Sequence, residues 1–247
     1  MTQRVALVTG AMGGLGTAIC QELTKAGHKV VASYHPQFDN KEEWLKEMAA
    51  AGFNDFVCVA GDISSWDDCV RMVAEAEASA GPVDILVNNA GITRDRMFAK
   101  MERDGWDAVI GTNLTSLFNM TKQVSAKMAE RGWGRIINIS SVNGLKGQAG
   151  QTNYSAAKAG VIGFWKALAA ELAAKGVTVN AICPGYVATK MVMAIKPEIL
   201  QTIIDGVPMK RLAKPEEIGG ACVYLASELA GFMTGATMNL NGGLYYQ

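Results

Sequence analysis

The sequence predicts one α/β domain built on a doubly wound parallel sheet. Short runs rich in Val and Ile alternate with longer stretches of helical period, and a glycine-rich turn follows the first run. No linker, repeat or break in composition divides the chain. Near-continuous hydrophobic strands, each followed by a helix, belong to parallel sheets covered on both faces. With 247 residues, 49% of them hydrophobic and 19% charged, the chain can bury such a core.

Seven strands are expected, over residues 5–8, 29–33, 56–60, 85–88, 135–140, 177–182 and 237–240. Helical period fills most of the gaps between them, over residues 15–26, 41–51, 66–80, 106–131 and 153–175. In the last of these, Val161, Ile162, Phe164, Trp165, Leu168, Ala169, Leu172 and Ala173 cover more than one apolar stripe. A helix apolar on most sides is buried on most sides. The sheet covers one face, and a second subunit is expected on the other.

Lys+Arg and Asp+Glu balance at 23 each, so no global field recruits nucleic acid or an anionic membrane. Five cysteines (Cys20, Cys58, Cys69, Cys183 and Cys222) are scattered, without a CxxC pair or a His/Cys cluster. They read as free thiols in a reducing compartment rather than as zinc ligands or disulfides. The N-terminus runs straight into a strand, and no apolar stretch is long enough to span a bilayer, so a cytoplasmic location is expected.

After the first strand, TGAMGGLG sets Gly10, Gly14 and Gly16 at the mouth of a helix. Glycines there permit a tight turn and let backbone amides approach a pyrophosphate on the helix N-terminus. Asp62 follows the third strand and is a candidate acceptor for an adenine amino group. Asn88-Asn89-Ala90-Gly91 closes the fourth, where small residues leave room for a cofactor. The second strand ends Ser33-Tyr34-His35-Pro36-Gln37, with neither the acid typical of NAD sites nor the arginine typical of NADP sites. Asp39 and Lys41 pull in opposite directions. The missing arginine favours NADH, with NADPH the alternative.

The stretch SSVNGLKGQAGQTNYSAAKAG, from Ser140 to Gly160, contains no histidine, carboxylate or cysteine to move a proton. It does contain Tyr154 and Lys158, four residues apart on one helix face, with Thr152 and Asn153 available as caps. An ammonium ~4 Å from the phenol contributes on the order of 4 kcal/mol at an effective dielectric of 20. That would bring a tyrosine near neutrality, where it can serve as an acid. Ser141, at the end of the fifth strand, lies thirteen residues ahead of Tyr154.

TGAMGGLG, Asn88-Asn89-Ala90-Gly91, Asn113, the Ser141 segment, Tyr154-x-x-x-Lys158 and Pro184-Gly185 resemble the short-chain dehydrogenases/reductases along essentially the whole chain. GITRD, WDAVIGTNLTSLFN, ERGWGRIINISSVNG and GQAGQTNYS look like the acetoacetyl-CoA reductases of polyhydroxybutyrate synthesis. The 3-oxoacyl-carrier-protein reductases are similar but more distant. The resemblance implies a seven-stranded Rossmann fold, a homotetramer, and reduction of acetoacetyl-CoA to a (3R)-hydroxyacyl product by NADH or NADPH. It makes Tyr154 the general acid and has Lys158 lower its pKa and hold the nicotinamide ribose. It has Ser141 bond the substrate carbonyl and Asn113 hold a water linking Lys158 to solvent. The implied cofactor residues are Gly10, Met12, Gly13, Gly14, Leu15, Gly16, Asp62, Ile63, Asn89, Ala90, Gly91, Ile92, Thr93, Tyr154, Lys158, Pro184, Gly185, Tyr186 and Val187.

On the substrate side, Gln148, Gln151, Gly185 and Tyr186 are expected at the thioester. Asp95 and Lys100 are expected as a facing wall, and residues 187–211 as a lid carrying Met191, Met193 and Ile195. Lys190, Lys196, Lys210 and Arg211 are candidates for coenzyme A phosphates. The alternatives are reduction of acyl groups on carrier protein and, in another class, a dinucleotide sensor without turnover. Intact Ser141, Tyr154 and Lys158 argue against a sensor.

Overall fold

The computed structural model describes residues 3–38 and 40–246. Its sheet contains β1 (Val5–Val8), β2 (Lys29–Tyr34), β3 (Val57–Ala60), β4 (Val83–Asn88), β5 (Gly134–Ile139), β6 (Val177–Pro184) and β7 (Thr237–Leu240). They are ordered 3-2-1-4-5-6-7, and every pairing is parallel. The winding reverses between β1 and β4, and in such sheets ligands bind beyond the carboxyl ends of the strands at that point. All seven expected strands are present, shifted by at most two residues at either end.

The helices are α1 (Gly14–Lys25), α2 (Lys41–Ala50), α3 (Trp66–Ala80), α4 (Arg103–Ile110), α5 (Ser116–Glu130), α6 (Asn143–Lys146), α7 (Thr152–Leu172), α8 (Lys190–Met193), α9 (Pro197–Gly206) and α10 (Pro215–Ala226). Strand alternation divides the core into two layers. Val5 and Leu7 of β1 join α3, α5 and α7 on one face, through Met72, Met120 and Trp165. Ala6 and Val8 join α1, α2 and α10 on the other, through Ile19, Trp44 and Leu225. Local chemistry starts several helices. Ser65 Oγ accepts from the Asp68 amide ahead of α3, and Pro197 and Pro215 open α9 and α10.

Two expectations need correction. The helical period over 106–131 does not form one helix: five residues of π-helix, Gly111–Thr115, separate α4 from α5. A widened turn of this kind is invisible to an apolar pattern that continues through it, and such turns gather at functional sites. Neither Thr152 nor Asn153 takes the N-cap position of α7, which is Gln151, although Asn153 Oδ1 does accept from the Tyr154 amide at 2.8 Å. Instead Thr152 Oγ1 donates to Met101 Sδ, while Asn153 is buried and ties Arg94 and Gly105 carbonyls to the helix start. Helix α7 buries one stripe (Ala157, Lys158, Val161, Trp165, Ala169 and Leu172) within the chain and leaves Ile162, Phe164 and Leu168 only partly covered. Four cysteines are buried and Cys58 half-buried, all with free thiols.

Candidate active site

The ends of β1 and β4 are stitched together at the point where the winding reverses. Thr9 Oγ1 accepts from the Asn89 and Ala90 amides (3.0 and 3.1 Å), and Asn89 Nδ2 donates to the Thr9 and Gly10 carbonyls. Gly10 has φ +62°, and a Cβ there would lie 2.9 Å from Ala90 Cα. A Cβ on Gly16 would lie 2.2 Å from the Gly10 carbonyl oxygen. These two glycines and Ala90 therefore let backbone pack on backbone at the turn. Gly13 and Gly14 are exposed, with Met12 and Leu15 half-buried beside them. The α1 N-terminus has neither a capping side chain nor an acid in its first turn. Its amides are thus available to an anion, and a dinucleotide pyrophosphate fits this cradle. Thr9 was missed in the sequence, because a threonine after a strand carries no motif of its own.

Further along the sheet edge, Asp62 Oδ1 accepts from the Ser64 amide and hydroxyl, and Oδ2 lies 3.7 Å from His35 Nε2. Ile63 is buried, its carbonyl held by Asn119 Nδ2. Asp39 lies outside the described residues. Lys41 pairs with Glu42 at 3.4 Å.

Asn113, in the π-turn, is fully buried and spends its side chain on Ile92: Oδ1 accepts from the Ile92 amide, and Nδ2 donates to the Ile92 carbonyl, both at 2.8 Å. That uses one of the two amide hydrogens and one of the two oxygen lone pairs of the side chain. A Cβ on Gly91 would meet Asn113 Oδ1 at 3.1 Å and Lys158 Nζ at 3.6 Å. Gly91 thus lets the β4 end press against both residues. Thr93 is exposed.

Ser141, Tyr154 and Lys158 converge beyond β5 and β6. Lys158 is buried, and its Nζ donates to the Ile139 carbonyl at 2.8 Å and lies 5.7 Å from the Tyr154 ring centroid. Burial lowers its pKa from 10.5 to about 8. The expected acidic phenol is corrected here. Burial raises the Tyr154 pKa above its ordinary value, with Asp95 and Cys183 adding to the rise, and a hydrogen bond from Ser141 opposes it. The lysine Nζ is bonded to the strand carbonyl rather than to the phenol oxygen, although it stays over the Tyr154 ring.

Pro184 ends β6, and the Gly185 amide donates to the Leu240 carbonyl. A Cβ on Gly185 would lie 2.9 Å from the Asn241 carbonyl oxygen. Val187 is buried and bridges Ala213, and Tyr186 accepts from the Ala213 amide. Thr189, absent from the sequence reading, sits so close that a Cβ on Gly14 would meet it at 3.1 Å. The chain from 187 onward thus starts over the glycine turn. Tyr186 and Gly185 also line a cavity of about 310 Å³ with Val207, Met209, Ile218 and Leu240. Ser141, Tyr154 and Lys158 do not line it, so it is not the reaction centre.

Gln148 is exposed, whereas Gln151 bonds Asp95 and Asn143. Asp95 and Lys100 do share a shallow groove, with Arg96, Met97 and Gly150. Of the cations proposed for phosphate, Lys190 pairs with Glu47, Lys210 donates to the Asp205 carbonyl and Arg211 pairs with Glu217. Lys196 is exposed ahead of α9.

A doubly wound sheet with a glycine turn at its reversal point defines a dinucleotide-binding protein, and a Ser/Tyr/Lys cluster beside that turn suits an oxidoreductase. The sequence profile of short chain dehydrogenases matches residues 4–199. The chain is 69% identical over 247 residues to Nodulation protein G of Azospirillum brasilense, covering all of both chains. It is 58% identical over 245 residues to acetoacetyl-CoA reductase of Cupriavidus necator, covering 99% of both. It is 39% identical to 3-oxoacyl-(acyl-carrier-protein) reductase of Staphylococcus epidermidis, over 97% of this chain and 98% of that one. This chain belongs to the short-chain dehydrogenase family.

Proposed function

We propose that this enzyme reduces acetoacetyl-CoA to (3R)-3-hydroxybutanoyl-CoA, the monomer for polyhydroxybutyrate synthesis. The observation that carries this reading is the convergence of Ser141, Tyr154 and Lys158 beside the glycine cradle. Higher identity to an acetoacetyl-CoA reductase than to a carrier-protein reductase favours the coenzyme A thioester.

A bound dihydronicotinamide would supply the hydride. The residues from Gly10 to Gly16, Asp62, Ile63, Asn89 to Thr93 and Pro184 to Val187 would hold its dinucleotide. Tyr154 keeps its proton at rest, because burial disfavours the phenolate. It gives that proton to the oxygen of the reduced ketone while the Ser141 hydroxyl steadies the phenolate left behind. Lys158, turned from Ile139 toward the ribose, supplies the nearby positive charge. Asn113 contributes a backbone carbonyl to the water path.

The segment 187–211 forms the lid, with Gln148 and Tyr186 toward the thioester and Lys196 toward coenzyme A phosphate. The partly covered flank of α7 and the exposed, stacked Trp66 and Phe118 support assembly as a homotetramer. Among the described residues no helix is long and apolar enough to cross a membrane, which agrees with a cytoplasmic enzyme. NADH is the favoured cofactor, since no arginine follows β2 before α2. Steady-state rates on acetoacetyl-CoA and on the same acyl group carried by acyl carrier protein test the reading. A higher kcat/KM on the carrier-protein substrate would overturn it.

A further inference from the structure

We propose that Asp95, Gln151 and Asn143 form a positioning relay that holds the Ser141 hydroxyl on the Tyr154 phenol. This rests on the reductase chemistry proposed above. The relay joins the loop after β4 to the turn after β5. Gln151 Nε2 donates to Asp95 Oδ2 at 2.8 Å, Asn143 Nδ2 donates to Gln151 Oε1 at 2.9 Å, and the Asn143 amide donates to Ser141 Oγ at 3.1 Å.

The direction of every bond follows from the first. A carboxylate only accepts, so it draws the NH₂ of Gln151 toward itself and turns the Gln151 oxygen to Asn143. Asn143 must then present its own NH₂, which pins the first residue of α6. With its oxygen accepting from that residue's amide, Ser141 has its O–H left for the phenol. The surroundings keep α6 in place: a Cβ on Gly144 would lie 2.7 Å from the Lys158 carbonyl carbon, so α6 lies flush on α7.

The groups acting on the phenol show why this placement matters. Asp95 from the β4 loop and Cys183 from β6 both disfavour the phenolate, as does burial. Lys158, from α7 itself, is turned to Ile139. Ser141 is the hydroxyl that favours the phenolate, with the Lys158 cation 5.7 Å from the ring centroid. Arg96 and Lys100 lie beside Asp95 in the shallow groove. A relay that fixes Ser141 therefore keeps its hydroxyl where it can favour release of the Tyr154 proton.

Gln151→Leu and Asn143→Ala, singly and together, test this. The Tyr154 phenol is titrated by ultraviolet difference against Tyr154→Phe, and kcat and KM are measured across pH. Each single variant is expected to titrate at higher pH than wild type and to lose roughly tenfold in kcat, with the double variant no worse than either. A rise in KM alone, with the phenol titration unmoved, would make Gln151 a substrate contact and overturn the relay. Losses that multiply in the double variant would overturn it too. If wild type fails to reduce acetoacetyl-CoA, the reductase reading fails while the phenol titration still decides the relay.

Discussion

Replacing Lys158 by methionine should stabilise the protein while removing its turnover. Methionine fills a similar volume without a charge. Burial takes the Lys158 pKa from 10.5 to about 8, a cost of roughly 3 kcal/mol to the folded state at neutral pH. The variant also loses the Nζ bond to Ile139, worth about 1 to 2 kcal/mol, which leaves a net gain of about 1 to 2 kcal/mol. For a chain of this size that is roughly 3 to 6 °C in Tm. The pH dependence is the sharper signature. Below pH 8 both folded and unfolded lysine are protonated, and the full cost is present. Between about 8 and 10.5 the unfolded chain binds the extra proton, so wild-type stability rises with pH. The advantage of the variant should therefore shrink by about 2 kcal/mol between about pH 7 and about pH 9.5, reaching nearly zero. Urea unfolding at the two pH values measures this. A variant less stable than wild type at neutral pH, or an advantage that does not change with pH, would refute the buried-cation reasoning.

Gly16→Ala puts a Cβ 2.2 Å from the Gly10 carbonyl oxygen and 2.8 Å from Ala11 Cα, where only backbone can yield. It should weaken dinucleotide binding by about tenfold or more, read by fluorescence titration, and unchanged affinity would refute the tight-turn account. With no arginine following β2, kcat/KM should be higher with NADH than with NADPH. Steady-state rates with each cofactor check this, and a large NADPH preference would contradict it.

The strands and the glycine turn were legible because each depends on local chemistry: apolar runs with clear ends, and a turn that only glycine fits. The pairing of Tyr154 with Lys158 on one helix face was legible from spacing alone. Side-chain direction was not. Lys158 points to Ile139 and Asn113 to Ile92 because buried strand-end and loop groups claim them, and those partners lie 19 and 21 residues away in sequence. The π-turn at Gly111–Thr115 was hidden by an unbroken apolar pattern. Helix α8 escaped because four residues are too few to show a period. Helices α9 and α10 do carry start signals that the sequence reading passed over, Pro197 within the 187–211 lid and Pro215 just beyond it. The same limit hid the Asp95–Gln151–Asn143 chain, whose members look like separate substrate contacts until their bonds are seen.

A phenol is the proton source for ketone reduction in this mechanism. Acetoacetyl-CoA turnover by Tyr154→Phe, alongside its affinity for the reduced dinucleotide, puts that to the test. A rate reduced by about a thousandfold or more, with affinity near that of wild type, is the expected result. Turnover within a few fold of wild type would mean that another group delivers the proton.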